Sequence, residues 1–502
     1  MNNLTALPFA ETLNQISAVL PPDLPVFVVG GAVRDALLGR AVNDLDFVLP
    51  GPVLEISRRV ANALHGAYYP LDEERQTARI ILNNPDGERR VLDFAALRGP
   101  DLESDLRARD FTINAMALAV GSPARLIDPL SGALDLRARR LRACSELSFL
   151  SDPIRIVRAV RQAVAFQLRI EPQTLTWLRD ARPGLAHISP ERLRDELFRI
   201  LQAEQPATAL RTLDFLDALR YLLPELELLK GVEQSAPHYQ DVFQHTLEVN
   251  ARLAEVLATL APVHDQEQAA SWALGLISLQ LGRYRSQIAA HLATDLNPLR
   301  SLRGLLFLAA LYHDSAKPQT RSVEVSPQDG RERVRFFEHD LQGVALIAQR
   351  AQDLRLSNIE IERLKTIIRH HMRPLLLAQS GAPPSRRAIY RFFRDTGPAG
   401  VDICLLSLAD TLGTYGPRLE RKVWVSLLEV VRTLLAAWWE NPEERISPPA
   451  LVNGRDLMET FDLEPGPAVG QLLSAIREAQ ATGEVTERVQ ALALAQKLLG
   501  AR

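Results

Sequence analysis

The stretch Val28-Val29-Gly30-Gly31-Ala32-Val33-Arg34-Asp35-Ala36-Leu37-Leu38-Gly39-Arg40-Ala41-Val42-Asn43-Asp44-Leu45-Asp46-Phe47-Val48-Leu49 decides how the first part of this chain folds. Val26–Val29 is a short apolar run that reads as a strand ending at Gly30-Gly31. Ala32–Leu38 then reads as a short helix that stops at Gly39, and Leu45–Leu49 as a second strand. Residues two apart on a strand point to one face, so Asp44 and Asp46 set two carboxylates side by side. Such a pair repels itself unless a cation is present. Magnesium suits it, because that ion favours a few carboxylates together with phosphate oxygens. A two-metal arrangement could activate an attacking hydroxyl and hold a triphosphate. The glycine pair adds a turn where backbone amides can approach phosphates, with a helix N-terminus behind it. Taken alone, the Asp-Leu-Asp is better read as surface aspartates, and Gly30-Gly31 reads equally as an ordinary turn.

Working outward, Ala78–Leu82 and Arg90–Phe94 read as strands flanking the turn signal Asn84-Pro85-Asp86-Gly87. From about residue 150 the pattern is helical, with Pro153, Pro190 and Pro206 near helix starts. Ser322–Phe337 interrupts it as a hairpin around Asp329-Gly330. Loop signals at Ser380–Ser385 and Ile446–Pro449 mark segment boundaries. A chain of 502 residues exceeds one hydrophobic core, so several domains are expected. With 47% hydrophobic and 24% charged residues the composition is that of a soluble globular protein. The net charge of −3 supplies no global basic field, so any nucleic-acid contact would rest on a local strip. Two cysteines, Cys144 and Cys404, exclude a disulfide framework and a cysteine-based zinc site, and point to a reducing cytoplasm. The opening MNNLTALPFAETLNQ lacks the character of a signal peptide, and apolar runs such as Leu305–Leu311 are too short to span a bilayer.

Four further blocks follow in order. They are Asp105 through Ala117 (DLRARDFTINAMA), Asp128-Pro129 through Leu141-Arg142, Asp152-Pro153-Ile154-Arg155, and Ser189-Pro190-Glu191-Arg192-Leu193 through Glu196. With the opening stretch they resemble the class II tRNA nucleotidyltransferases and bacterial poly(A) polymerases. The resemblance implies that Asp44 and Asp46 hold Mg2+, with Asp93 a weaker third carboxylate that reads equally as a strand-end aspartate. It implies that Gly30, Gly31 and Arg34 lie at the nucleotide. Arg109, Asp110 and Asn114 would contact ribose and phosphates, where a bond to the 2′-hydroxyl selects ribonucleotides. Asp152 and Arg155 would read the base by its Watson–Crick edge, the carboxylate accepting from an exocyclic amine and the guanidinium donating. Spaced i and i+3, they share a helix face; without the surrounding blocks they read better as a helix N-terminal aspartate with a structural arginine. Apart from the resemblance, Arg155, Arg158 and Arg161, with Arg192, Arg194 and Arg199 further on, are candidates for contacts to the RNA backbone, although a solvated helix face is the usual explanation for such arginines. Two positions depart from the family pattern: Ser151 stands where a glutamate is usual, and Ala108 where an arginine is usual. The segment Arg98–Ser104 is also short, as in members that add only CC.

In the helical half, Leu311-Tyr312-His313-Asp314-Ser315-Ala316-Lys317-Pro318 resembles the HD domain signature. His245 and Asp410 fit the first and last positions of that domain, with His339 and His371 weaker additions. Imidazoles and carboxylates meeting inside a bundle make a site for a divalent transition metal. Such a site could hydrolyse phosphate esters, or the fold could be retained without activity. His264-Asp265 reads as solvated surface, and His65, His187, His238 and His291 as background. The tail, with Gly454-Arg455-Asp456-Leu457 and Pro465-Gly466-Pro467, resembles an RNA-binding segment and reads equally as a helical cap.

The expected fold is an α/β nucleotidyltransferase head with a small mixed sheet at 1–140. A helical neck at 141–230, an HD bundle at 231–415 and a helical tail at 416–502 follow. The implied function is template-independent addition of C and A to the tRNA 3′ end from CTP and ATP, in the cytoplasm, with no membrane. Three alternatives stay open: partial CC or A addition beside a complementary enzyme, poly(A) synthesis, and an HD phosphohydrolase with an inactive head.

Overall fold

The computed structural model describes residues 7–83, 89–121, 125–263, 271–325 and 330–500. The turn signal at Asn84–Gly87, the dipeptide His264-Asp265 and Asp329 lie outside them. The chain forms two compact units, Met1–Ile188 with Phe215–Tyr221, and Ser189–Asp214 with Leu222–Arg502.

The first unit is built on a seven-stranded mixed sheet. Its strands are β1 (Phe27–Val29), β2 (Asp44–Leu49), β3 (Ala67–Asp72), β4 (Thr77–Asn83), β5 (Arg89–Ala96), β6 (Ala117–Ala119) and β7 (Leu126–Ile127), in the order β3-β4-β5-β2-β1-β6-β7. All neighbours are antiparallel except β2 and β5, which run parallel with Asp44 opposite Val91 and Asp46 opposite Asp93. The alternation in β2 explains its placement. Leu45, Phe47 and Leu49 enter a core with Phe9, Leu13, Ile16, Val53, Ile56 and Val60, and Phe47 stacks on Phe94 with centroids 4.6 Å apart. Val48 faces the other way, into a smaller cluster with Val29, Leu106, Ala115 and Ala117. Asp44 and Asp46 share that second face at the open end of the strand. The helix Arg155–Ala165 belongs to this unit and buries Ile156, Val157, Ala159, Val160 and Ala163.

The second unit is helical apart from short hairpins. The expected one is present as Arg321–Val325 paired antiparallel with Glu332–Phe336. Leu302–Tyr312 is buried at nearly every position, which suits a central helix that is apolar all round. Around it lie the helices Val242–Thr259, His339–Asp353, Asn358–His370 and Ala399–Tyr415. The C-terminal helices Gly454–Phe461, Pro467–Thr482 and Arg488–Gly500 carry a core of their own, including Val452, Leu457, Leu472, Ile476 and Ala491. Among the described residues no helix is long and apolar enough to cross a membrane.

Candidate active site and candidate metal centre

In the first unit β2 and β5 bring three carboxylates onto one face. Asp46 pairs in register with Asp93, and Asp44 precedes Asp46 by two. Asp93 accepts a bidentate bond from Arg79 of β4, both distances 2.8 Å. The Asp46 side chain reaches solvent and lies among other charges, Asp44, Asp93, Arg109 and Arg158. Desolvation there, with Asp93 and Asp44 adding repulsion, raises its carboxyl above the usual range against the pull of Arg109 and Arg158. This crowding is what a divalent cation would relieve. A cation beside Asp44 and Asp46 would remove a penalty the fold already carries, while both oxygens of Asp93 are taken by Arg79.

The turn between β1 and the helix Gly31–Leu37 closes over these groups. Gly30 has φ +78°, a conformation that favours glycine. A Cβ there would lie 3.2 Å from Arg109 Nη1 and 3.8 Å from Asp46 Oδ2, so the missing side chain keeps this approach open. Arg109 is anchored from behind: its Nε and Nη2 donate to Asp105 Oδ2 at 3.0 and 2.9 Å. Asp105 is fully buried, and its Oδ1 accepts from the Arg98 backbone N–H at 3.1 Å.

Asn114 and Asp110 are both buried at the next layer. Asn114 Nδ2 donates to Asp110 Oδ1 and to Gln162 Oε1, each at 3.0 Å. Arg34 Nη1 donates to Asn114 Oδ1 at 2.6 Å. The rest of the Arg34 guanidinium is held by Asp35 and lies over the Phe166 ring, 4.2 Å from its centroid. Arg158 Nη2 lies 3.2 Å from Asp110 Oδ2. Arg155 donates to the carbonyls of Ser148, Ala108 and Arg109 at 3.2 to 3.4 Å, with its Nε 3.8 Å from Asp152. Burial leaves its guanidinium less basic than usual. Arg155 thus ties the start of its own helix to the segment carrying Arg109, while Ser151 turns its hydroxyl back onto Leu147 O. Leu97–Asp101 connect β5 to the helix Leu102–Arg107, so the last three residues of the segment Arg98–Ser104 are helical. Two of the arginines offered for RNA contact are engaged within the second unit: Arg194 with Asp195 and the Arg355 carbonyl, and Arg199 with Glu196.

The second unit gathers the other candidates. Among the described residues two groups sharing Asp314 could hold a metal: His245, His313 and Asp314, and Asp314, His339 and His371. His245 Nε2 lies 3.1 Å from Asp410 Oδ1 and 3.4 Å from Asp314 Oδ2, and His313 Nε2 lies 3.2 Å from Asp314 Oδ2. His339 Nε2 is 3.5 Å from Asp314 Oδ1 and 3.3 Å from His371 Nε2. His313, His339 and His371 each place Nδ1 within 2.7 to 2.9 Å of the carbonyl three residues earlier. With Nδ1 engaged there, the Nε2 atoms of these three histidines face Asp314 and one another, the orientation that a histidine-rich metal site requires. Without a cation the cluster balances itself. Burial works against a charge on His313, but Asp314 and Asp410 outweigh it and hold the imidazole up at about 10. Lys317 Nζ bonds Asp314 Oδ2 at 2.7 Å. His371 is pushed down to about 4 by burial and by its histidine neighbours.

Five residues received no role of their own from the sequence, although Asp105 and Asp135 lie within the quoted blocks. His238, read as background, lies with its ring 5.1 Å from that of His245 and is lowered to about 4 by burial, with Lys317 and His245 nearby. His291, read the same way, bonds buried Asp402 at 2.9 Å, with Arg363 on the other carboxylate oxygen. Asp135, fully buried, accepts from Thr112, Arg140 and Arg142. Asp105 and Gln162 support Arg109 and Asn114. The i, i+4 spacing of Asp105 and Arg109 was the one available signal.

Family models match along most of the chain: the poly A polymerase head domain over residues 26–142 and the RNA and SrmB-binding site of polymerase A over 167–229. The HD domain matches 285–413, and tRNA nucleotidyltransferase domain 2 matches 448–495. An A-adding tRNA nucleotidyltransferase of Deinococcus radiodurans is 34% identical, covering 95% of this chain and 97% of its own. CC-adding tRNA nucleotidyltransferases of Geobacter sulfurreducens and Thermus thermophilus are 32% and 31% identical, covering 92% and 93% of this chain and 89% and 92% of theirs. Among solved structures, the Thermotoga maritima CCA-adding enzyme complexed with tRNA has the same fold, at TM-score 0.54 and 20% identity over 99% of this chain and 96% of that one. A CCA-adding enzyme bound to ATP gives TM-score 0.59 and 21% identity over 100% and 96%. With the five sequence blocks, the carboxylate-bearing sheet and these full-length likenesses in agreement, the chain belongs to the tRNA nucleotidyltransferase family built on a poly(A) polymerase head and an HD domain.

Proposed function

We propose that this protein adds C and A to the 3′ end of tRNA from CTP and ATP, releasing pyrophosphate and using no nucleic-acid template. The observation that carries the reading is Asp46, in register with Asp93 and two residues after Asp44, set beside Gly30 and Arg109. Asp44 and Asp46 would hold Mg2+, which when bound polarises the RNA 3′-hydroxyl and neutralises the triphosphate. Gly30 and Gly31 leave room for phosphates, and Arg109 supplies a fixed positive charge beside them. Asp110 and Asn114 contact the ribose. Arg34 acts through Asn114, whose oxygen it holds. Asp152 and Arg155 read the base, cytosine and adenine sharing an exocyclic amine that a carboxylate accepts. Arg158 orients Asp110 and lies toward the RNA backbone. Residues 1–140 are then catalytic, 141–230 read base and RNA, 231–415 form the HD domain, and 416–502 make a tail for tRNA. The cytoplasm, where tRNA and nucleotides are available, is the fitting compartment, and two unpaired cysteines agree with it.

A second reading, addition of CC or of A alone beside a complementary enzyme, is favoured by the short Leu97–Asp101 connection. At the HD cluster, His245, His313, Asp314 and Asp410 would hold a divalent transition metal, with His339 and His371 extending the set. A metal there would support phosphate-ester hydrolysis. The experiment is mutational. Asp44→Ala removes transfer while circular dichroism and melting stay those of a folded protein. Arg155→Ala lowers discrimination between CTP and UTP more than it lowers tRNA affinity. Transfer at the normal rate by the first variant, or unchanged selectivity in the second, removes the corresponding assignment.

A further inference from the structure

The amide of Asn114 is held from three sides. Arg34 Nη1 donates to its Oδ1 at 2.6 Å, and its two Nδ2 hydrogens go to Asp110 Oδ1 and Gln162 Oε1, each at 3.0 Å. Arg34 and Asp110 choose which way the amide faces, because the opposite flip would set donor against donor and oxygen against oxygen. Gln162 then does something neither of them does. It sits 2% exposed on the helix Arg155–Ala165, which also carries Arg155 and Arg158, so it fastens Asn114 to that helix by a side-chain bond. Arg158 makes the parallel link to Asp110 at 3.2 Å. Both residues assigned to the sugar are therefore tied to the helix assigned to the base. An amide oxygen has two lone pairs, and Arg34 uses one. The other is the acceptor position these bonds leave on Asn114 for a ribose hydroxyl.

We infer that Gln162 is a positioning residue for ribose selection, its Oε1 holding the Asn114 amide in register with the base-reading helix so that the Asn114 oxygen meets a 2′-hydroxyl. The inference rests on the reading that Asn114 contacts ribose. Without the Gln162 acceptor, one buried Asn114 N–H has no partner and the amide can tilt in its own plane away from the sugar. A 2′-deoxynucleotide never used that contact, so its rate should change little. The ribonucleotide should lose its advantage, chiefly in KM.

The test compares kcat/KM for ATP against 2′-deoxyATP, and CTP against 2′-deoxyCTP, on a tRNA end that the wild type extends. Gln162→Met keeps volume and removes the acceptor. It should lower the ribonucleotide preference about fivefold to tenfold, the scale of one net hydrogen bond, through KM for the ribonucleotide. Gln162→Glu keeps an acceptor at the same reach and should restore most of the preference, which a merely structural role would not do. Should Gln162→Met fail to fold, Gln162→Asn withdraws the acceptor by one methylene and gives the same readout. Asn114→Ala separates the two levels of the argument. If it leaves ribonucleotide preference intact, Asn114 does not read the sugar and the inference falls with that reading. If it collapses the preference while Gln162→Met does not, or if Gln162→Met slows both nucleotide classes equally, the reading stands and the role of Gln162 is overturned.

Discussion

Replacing Asp105 by asparagine tests whether Arg109 works only when it is held from behind. Both carboxylate oxygens of Asp105 are occupied, Oδ1 by the Arg98 N–H and Oδ2 by two guanidinium donors of Arg109. An amide at this position has one acceptor. It can serve Arg98 or Arg109, and in either case its NH2 is pressed against the donor it does not serve. The site is fully buried, so water cannot repair the loss. An unmade hydrogen bond to a charged group costs about 2–3 kcal/mol. If that strain is relieved by Arg109 swinging away from Gly30 and Asp46, the same amount leaves the transition state, which corresponds to about a 30- to 150-fold fall in kcat/KM. The assay is single-nucleotide extension of a tRNA end under limiting nucleotide, with a urea melt of the same preparation. Transfer within threefold of wild type would refute the reasoning, because Arg109 would then need no anchor.

Glu225 tests the electrostatics of the second unit. Burial alone would raise its carboxyl, but hydrogen bonds from Arg350, as short as 2.6 Å, and from the buried Tyr312 hydroxyl at 2.7 Å outweigh it and hold the group below the usual glutamate range. A depressed carboxyl contributes stability above its unfolded value and loses it as pH falls through the folded one. Glu225→Gln should therefore cost about 1.5–3 kcal/mol at pH 7, with the gap to wild type narrowing as pH drops below the ordinary value of 4.5 in urea titrations. Asp314→Asn should abolish binding of Mn2+ or Co2+ to the HD cluster in calorimetry, since Asp314 belongs to both candidate groups, while tRNA extension stays within threefold. In the tail, Glu478 receives Arg387, Arg391 and Arg394 at 3.2, 2.6 and 3.5 Å. These arginines are half exposed, so Glu478→Gln should cost only about 1 kcal/mol, and the difference should shrink in 1 M salt as screening takes over.

How much of this was legible beforehand depends on the range of the signal. A spacing of two put Asp44 and Asp46 on one face, but it was the resemblance of the surrounding blocks that made them candidates, as the resemblance to the HD signature did for His313 and Asp314. Asp93 could not be separated from a strand-end aspartate, because its claim rests on the parallel register of β2 against β5 across more than forty residues. Gln162 and His238 gave no local sign at all. Gln162 matters through Asn114, 48 residues earlier, and His238 through Thr414, 176 residues later, beside its ring contact with the nearby His245. The resemblance offered Arg34 as a contact to the nucleotide, and spacing gave no sign that its guanidinium is tied to Asp35 and Asn114 and laid on Phe166. Spacing reports which face a residue is on. It does not report which donors are already spent.

The most direct measurement is to incubate the purified protein and Mg2+ with tRNA transcripts ending before C, CC or CCA. CTP and ATP are supplied separately and together, and products are resolved to one nucleotide. The account predicts extension by C, by A or by both, stopping at the CCA end, and none with Asp46→Ala. No incorporation on any end by a folded protein, or long A tails on RNA of any sequence, would contradict it.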